Sequence, residues 1–540
     1  MPLKIRNLEA VKELLKYEDL LAKTALLEDK NLQLEDKCKR LRERVAYLER
    51  MLYGSRRDKR LSIADQGPGL FDEEFNEALD EKAKATEAAA EEIRKTAEKR
   101  RAEARKTPAR PAKYRYCGLE ERVTKLYPAG VNVEDYDVIG CDETRILHRD
   151  PAKAWVEVIE RPVLRRKNGG SDSDAEVIQA PAPRPVIGGN HVGADLLAQI
   201  AIDKYVYHLP EYRQVKRFAD IGVTLPTSTL NDWVHRMANR LYPLYESLGE
   251  DIRSREYLQV DEVPWRIADK EGKCRKGYAW QFFDATPDSH GLYFHYHKGS
   301  RGGEVVRAQL KGYRGAIQTD GYKVYEYFEQ QEGVILLGCL AHVRRKFVEA
   351  QKSHPDLAAK ALEFLGLLYE LEANLRAENA SASRIAMERQ AKAIPIMDTM
   401  EAWMKVVSPQ CTPDDLMGKA LDYAYKLWPR LRRYADDGSY QIDNNAVERM
   451  QRPSVLGRKN FLFSKNDRGA VDNAIFYSLL ESCAVVGISP LQWLTAALDK
   501  LRHDPSEDEI IQMLPYYYKK IRADRPDFFV VVNGLFRMVT

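Results

Sequence analysis

Cysteine is scarce and unpatterned: seven residues in 540, an odd number with no C-x-x-C pair. That excludes a disulfide scaffold and points to free thiols in a reducing compartment. Long apolar runs are missing too. The longest, near Val334–Ala341, is strand-sized and broken by Gly338, far short of the 18 or so residues a membrane span needs. The N-terminal MPLKIRNLEAVKELLKYEDLL alternates charge with Leu and lacks the apolar stretch of a secretory signal, so a soluble, cytoplasmic protein without a membrane partner is expected. No charge sign dominates: 85 Lys+Arg face 82 Asp+Glu, a net +3. Any nucleic-acid footprint must therefore come from local clustering. A nucleotide-binding P-loop is absent as well. Gly272 and Gly277 have its spacing, but Tyr278 and Ala279 stand where Lys and Ser/Thr belong, which argues against an ATP-driven enzyme. What the chain does have is length and apolar content, 44% hydrophobic over 540 residues, enough for three or four domains at roughly 100–200 residues each.

The clearest periodicity lies over residues 3–53. Leu20, Leu27, Leu34, Leu41 and Leu48 recur every seven residues, with Thr24, Asn31, Cys38, Val45 and Leu52 four further on. Leu at d with a mixed a column predicts a coiled coil, the alternative being one amphipathic helix packed on its own domain. Asn31 at an a position favours a parallel pair, hence a homodimer or higher oligomer. Beyond Gly54 the charge pattern switches from acidic FDEEFNEALDE to basic KRRAEARKTPARPAKYRY, over a stretch predicted to be helical but weakly anchored. Its cations (Arg100, Arg101, Arg105, Lys106, Arg110, Lys113, Arg115) interleave with Tyr114 and Tyr116. That suits either a solvated face or phosphate contact. NGGSDSDAEVIQAPAPRPVIGGN reads as a linker or exposed loop.

LPEYRQVKRFADIGVTLPTSTLNDWVHRM predicts a helix, a turn at Gly222, and a second helix capped by Thr227 or Ser228. This is helix-turn-helix spacing, with Arg213, Lys216 and Arg217 as candidate DNA contacts, although two helices and a glycine turn are commonly just structure. From Tyr257 the period changes to strands: YLQVDE, GYAWQFFDA, GLYFHYHK, then GAIQTD and GVILLG with helices between. Residues 355–436 read as all-helical, and the chain ends in DFFVVVNGLFRMV, whose apolar partner the sequence does not identify.

Three acids stand out by placement. Asp261 is expected to end the first strand, Asp320 to end the fourth, and Glu448 to lie on a helix in IDNNAVERMQR. Each alone could be a strand-end cap or a solvated charge. Together, two strand ends and a facing helix can converge three carboxylates, whose oxygens suit Mg²⁺ or Mn²⁺. Two such ions stabilise both oxygens of an in-line phosphoryl displacement, and this pattern suits an RNase H-like polynucleotidyl transferase. Glu262 and Asp443 are the nearest rivals as ligands. Strand alternation puts Glu262 on the face opposite Asp261.

On VDEVPW, QTDGYKVYE, GCLAHVRRKF and DNNAVERMQRPSVLGRKNFLFS, with the helical block above and LERMLYGSRRDK, the chain resembles DDE transposases of the insertion-sequence-66 family over nearly its whole length. The resemblance implies metal-dependent cleavage of DNA ends and strand transfer of a mobile element, with Asp261, Asp320 and Glu448 as catalytic and metal-ligating triad. It also implies an α/β RNase H-like domain interrupted by an all-α insertion. Terminal inverted repeats and target DNA would be partners, along with possible helper proteins of the same element. Cys339 and His342 match a C-x-x-H element. With Asn444 and Asn445 they are expected to order structure near the acids. Arg449, Arg452, Arg458, Lys459, Lys465 and Arg468 would grip phosphates. Family members usually carry a four-cysteine zinc segment. Here only Cys117 and Cys141 fall there, too few to close a tetrahedral site, so no zinc is expected in it.

The expected organisation is a coiled-coil dimerisation segment (1–54), a charged helical linker (55–116), a small β-containing domain (117–185) and a helix-turn-helix-like region (186–250). A catalytic domain (251–340 and 440–490) follows, split by the helical insertion (341–439), then a C-terminal element (491–540). The rival functions are an RNase H-like nuclease without strand transfer and a catalytically decayed coiled-coil DNA-binding protein.

Overall fold

In the computed structural model, the chain divides into two units, Met1–Glu73 and Glu74–Thr540. The structure describes residues 73–106, 163–165, 177–179, 182–188, 192–269, 273–299, 301–524, 529–532 and 535–538, with isolated positions between 154 and 159. The predicted coiled coil with Asn31, the basic residues beyond Lys106, and Cys117 and Cys141 lie outside the described residues.

At the centre is a five-stranded mixed sheet: β1 (Tyr257–Ala268), β2 (Cys274–Asp284), β3 (Leu292–His297), β4 (Gly315–Gln318) and β5 (Val334–Leu337), in spatial order β3-β2-β1-β4-β5. The first three form an antiparallel meander, while β4 pairs parallel with β1, and β5 parallel with β4. Asp261 does not end its strand. Antiparallel pairing with β2 carries β1 on to Ala268, whereas parallel pairing with β4 runs only from Tyr257 to Gln259. On the β4 side, Asp261 therefore stands just past the last paired residue.

The core under this sheet is shared. Helices α2 (Ala194–Tyr205) and α4 (Thr227–Arg253) contribute Leu197, Leu230, Trp233 and Met237 to the same buried cluster as Val260, Phe282 and Phe294, and α3 (Glu211–Asp220) packs Val215 and Phe218 against it. Gly222, at φ +82°, makes the turn after α3, a conformation L side chains adopt at a cost. Neither Thr227 nor Ser228 caps α4. Its N-cap is Pro226, with no side-chain hydrogen bond, so the fixed proline φ rather than a hydroxyl sets the helix start.

Two further findings depart from the sequence reading. Val177–Gln179, in the stretch read as a linker, pairs antiparallel with Val163–Arg165. The C-terminal apolar tail forms an antiparallel hairpin, Phe529–Val532 with Leu535–Met538.

A second core belongs to the helical layer: α5 (Leu340–Ala350), α6 (Pro355–Ala377), α7 (Ile394–Val407) and α8 (Leu416–Arg432). Helix α1 (Glu73–Lys106) joins it. Rather than a weakly anchored linker, α1 buries Ala89, Ala90, Ile93 and Ala97, a stripe at helical spacing. Its polar contacts match in register. Thr86 lies 2.7 Å from Thr399, Asn374 Nδ2 donates to the Ile93 carbonyl at 3.1 Å, and Arg94 and Arg101 pair with Glu363 and Glu370 at 2.9 and 2.8 Å.

The chain then returns to the sheet through α9 (Asn445–Met450) and α10 (Arg452–Phe461), followed by α11 (Asp467–Val486) and α12 (Pro490–Leu501). Helix α11 is long and apolar enough by composition to cross a membrane, but it is a core helix with Phe476, Leu479 and Cys483 buried. Its Ser478 and Ser482 hydroxyls accept the N–H groups of Phe294 and Leu292 at 2.8 and 3.0 Å, satisfying donors that edge strand β3 would otherwise leave open.

Candidate active site

Strand alternation puts Gln259 and Asp261 on one face of β1. The two-residue offset recurs at Gln318, which ends β4, and Asp320. The glutamines are fully buried, and their amides form a small network. Gln259 Nε2 donates to Gln318 Oε1 at 2.9 Å, and the Tyr257 hydroxyl donates to the same oxygen at 2.6 Å. The network holds the segment entering α9. Gln318 Nε2 donates to the carbonyls of Gln441 (2.8 Å) and Gly338 (3.0 Å), while Gln259 Nε2 donates to the Asp443 carbonyl at 3.0 Å. Gln259 Oε1 accepts the Val447 N–H at 3.1 Å, satisfying one of the amides that a helix's first turn leaves unpaired. The short helix carrying Glu448 is thus capped from the sheet.

Asp261 Oδ1 accepts the Glu262 N–H at 2.8 Å and its Oδ2 accepts Gln451 Nε2 at 2.6 Å. Asp320 Oδ1 accepts the Tyr322 N–H at 2.8 Å, and its backbone carbonyl accepts the Tyr423 hydroxyl from α8. Between them sits Gly321 at φ +87°, where a Cβ would come within 2.6 Å of Leu427. Only glycine lets α8 approach this closely without strain. Glu448 has His342 Nε2 at 3.5 Å and Arg345 at 3.7 Å, and its Oε1 is buried without a hydrogen bond among the described residues.

Among the described residues, neither Asp261 nor Asp320 has an ion pair within 4.0 Å. Burial first, then the charges of Glu262 and Asp320, push the Asp261 carboxyl up to about 7. Burial pulls His342 down against the opposing pull of Glu448. This is a carboxylate cluster short of positive charge, and a divalent cation would supply it. The oxygens are spread more widely than a single ion needs: the one set of three His, Cys, Asp or Glu ligand atoms mutually within 4.8 Å among the described residues lies elsewhere.

The rival acids are engaged. Glu262 pairs with Arg301 and accepts the Tyr325 hydroxyl at 2.6 Å. Asp443 accepts Tyr369 at 2.9 Å and both the N–H and the amide of Asn445 at 3.1 and 2.7 Å. Cys339, fully buried and held as a thiol at about 12 by that burial, accepts the Asn444 N–H at 3.4 Å. Asn444 is buried too, with neither side-chain polar atom hydrogen-bonded among the described residues.

Residues 189–472 match the family described as Transposase IS66 family. The chain belongs to the IS66 transposase family. Three proteins of Sinorhizobium fredii (strain NBRC 101917 / NGR234), each named only as uncharacterized, are similar to it. Protein y4jD is 31% identical, covering 64% of this chain and 69% of that relative. Protein y4qI is 28% identical over 87% of both chains, and y4hP 29% identical over 71% and 72%.

In this IS66-family chain, Arg449, Arg452, Lys459, Lys465 and Arg468 are exposed, while Arg458 donates to the Pro264 carbonyl at 2.6 Å. Ser464, in the loop after α10, bridges to Ile267 at the far end of β1, so the basic stretch runs from beside Glu448 to the end of that strand. On α3, Arg213 and Lys216 are exposed, and Arg217 pairs with buried Asp203 at 2.8 Å. Sequence reasoning missed Gln259, Gln318, Gln451, Arg345 and Tyr423. The available signal was a glutamine two residues before each aspartate, in strands otherwise apolar.

Proposed function

We propose that this family member is a DDE transposase, an RNase H-like polynucleotidyl transferase that cuts the ends of its mobile element and joins them to target DNA. The carrying observation is the sheet-borne cap. Gln259 and Gln318 tie the helix of Glu448 to the two strands that deliver Asp261 and Asp320. The sheet order, with a helical layer between the second acid and the third, supports the same reading.

The donor set fits Mg²⁺ or Mn²⁺. It offers hard carboxylate oxygens, with two acids without ion pairs and one buried oxygen without a hydrogen bond among the described residues. Oxygens around one Mg²⁺ lie within roughly 4.2 Å of each other, closer than this triad's spread, so two ions suit it better than one. When bound, they stabilise the attacking and leaving oxygens of phosphoryl transfer. The residues do the positioning. Gln451 and the Glu262 N–H orient Asp261, Tyr322 and Tyr423 fix the Asp320 loop, and His342 with Arg345 holds Glu448. The exposed arginines and lysines after Glu448, with Arg213 and Lys216, would contact DNA phosphates.

Element-end duplexes with labelled strands test this reading. Asp320→Asn should retain DNA binding and lose Mg²⁺-dependent cleavage, by about 10³-fold or more, and normal cleavage would refute the assignment. Pre-cleaved ends that are hydrolysed elsewhere but never joined would favour a nuclease. Pairing of ends through residues 1–54 belongs to the same proposal, as do a cytoplasmic location and helper proteins of the element. Sedimentation of a 1–60 fragment should find a dimer, and a monomer would reject that role for the heptads.

A further inference from the structure

Away from the acids, three chemically different ligands meet in the helical layer. The side-chain donor atoms of His354, Cys411 and Asp415 all lie within 4.8 Å of one another. They come from two helix connections. His354 links α5 to α6, its N–H donating to the Ala350 carbonyl and its carbonyl accepting from Ala358, both at 3.0 Å. Cys411 and Asp415 belong to the link between α7 and α8.

A structural role explains Asp415 by itself. It caps α8, Oδ1 accepting the Gly418 N–H at 2.7 Å and Oδ2 the Thr412 N–H and hydroxyl at 3.2 Å each. It does not explain the other two. His354 Nδ1 is buried with no hydrogen-bond partner among the described residues, an arrangement that costs free energy unless something binds there. The Cys411 thiol lies with its sulfur within 4.8 Å of both the His354 and the Asp415 ligand atoms. One cation would satisfy all three groups.

The geometry points to a Zn²⁺ site formed by His354, Cys411 and Asp415, with a water as fourth ligand. Sulfur, imidazole nitrogen and carboxylate oxygen are the zinc donor types, and the thiolate selects against Mg²⁺. Tetrahedral zinc spaces such donors roughly 3.4–3.6 Å apart, so closing from separations of at most 4.8 Å needs side-chain shifts of no more than about 1 Å. The cap hydrogen bonds would orient Asp415 as second-sphere contacts orient metal ligands. The site would brace the first turn of α8, the helix whose Tyr423 holds the Asp320 loop.

The test uses the full chain, zinc-loaded and desalted, with metal measured by elemental analysis, and a Co²⁺-substituted sample read for thiolate-to-metal charge transfer. We expect about one zinc per chain. Cys411→Ser should abolish the charge-transfer band, and His354→Ala should lower retained zinc at least tenfold. Asp415→Asn keeps a good helix cap, so metal loss in that variant with an unchanged melting temperature in chelator separates ligation from folding. Cys117→Ser with Cys141→Ser should change nothing. Wild-type protein that retains no zinc, a charge-transfer band that survives Cys411→Ser, or zinc lost on replacing Cys117 and Cys141 would each overturn the proposal.

Discussion

Replacing Asp261 by Asn should make the metal-free protein more stable while removing its activity. The Asp261 carboxyl is raised from 3.8 to about 7, chiefly by burial and then by Glu262 and Asp320. At about 1.36 kcal/mol per unit, holding it ionised at pH 8 costs up to about 4 kcal/mol relative to the unfolded chain. Partial exposure of the residue brings that to roughly 2–4 kcal/mol. Between pH 4 and 7 the folded state binds more protons here than the unfolded state, so stability falls as pH rises through that window. Asn keeps the shape without the charge. Its oxygen can accept the Glu262 N–H, and its amide can donate to Gln451 after that side chain turns over. Thermal melts without metal should therefore place Asp261→Asn above wild type at pH 8, by roughly 2–4 °C for a unit of this length, and level with it near pH 4. Saturating Mg²⁺ should raise wild type alone and close the gap, because a ligand stabilises only a state that binds it. A variant that melts below wild type at pH 8, a gap independent of pH, or an equal Mg²⁺ response in both proteins would refute the electrostatic account of the site.

The remaining predictions concern its supports. Gln318→Leu strands the Gln441 and Gly338 carbonyls and leaves the Gln259 amide and Tyr257 hydroxyl short of an acceptor. It should cost about 2–4 kcal/mol in urea unfolding and slow single-turnover cleavage at least tenfold with DNA affinity unchanged; an unaltered cleavage rate would reject a positioning role. Ile93→Asp places a carboxylate in the α1 seam, where Ile93 is only 1% exposed. It should release α1 at a cost of about 3 kcal/mol, read as new tryptic cleavage within residues 73–106, and continued protection would show that the helix is held by its ion pairs instead.

Patterns with a period were readable from the chain, and pairings across it were not. Short apolar runs, alternating at Leu292, Phe294 and Tyr296 in β3, marked β1 to β5, and helical spacing marked the layer from Leu340 to Arg432, because burial imposes those patterns directly. The end of β1 was misplaced because a strand's two edges can stop at different residues: Gln259 on one side, Ala268 on the other. Helix α1 looked weakly anchored because Ala and Thr carry little hydrophobic weight, yet small residues let it lie close to α6 and α7. Val532 and Leu535 flank Asn-Gly, a hairpin signal that the apolar tail contained and the reading passed over. Ser478 and Ser482 carried no signal, since their task exists only once β3 becomes an edge.

The helical layer is where the site's geometry is finally set. It lies between the second acid and the third along the chain, so the polypeptide leaves the sheet after β5 and must return Glu448 to the same face about a hundred residues later. Misplacing a reacting group by about 1 Å can cost 10²-fold in rate, so the return must be registered at several points. Tyr423 donates to the Asp320 carbonyl, Tyr369 to Asp443 just before α9, and Arg433 to the Leu336 carbonyl at the end of β5. Arg430 adds a pair to Glu329 in the turn after Asp320. On the sheet side, Gln259 and Gln318 grip the segment from Gln441 to Val447. The layer thus holds both loops, and the sheet holds the second of them as well. A change in helix packing can therefore reach the carboxylates without touching them.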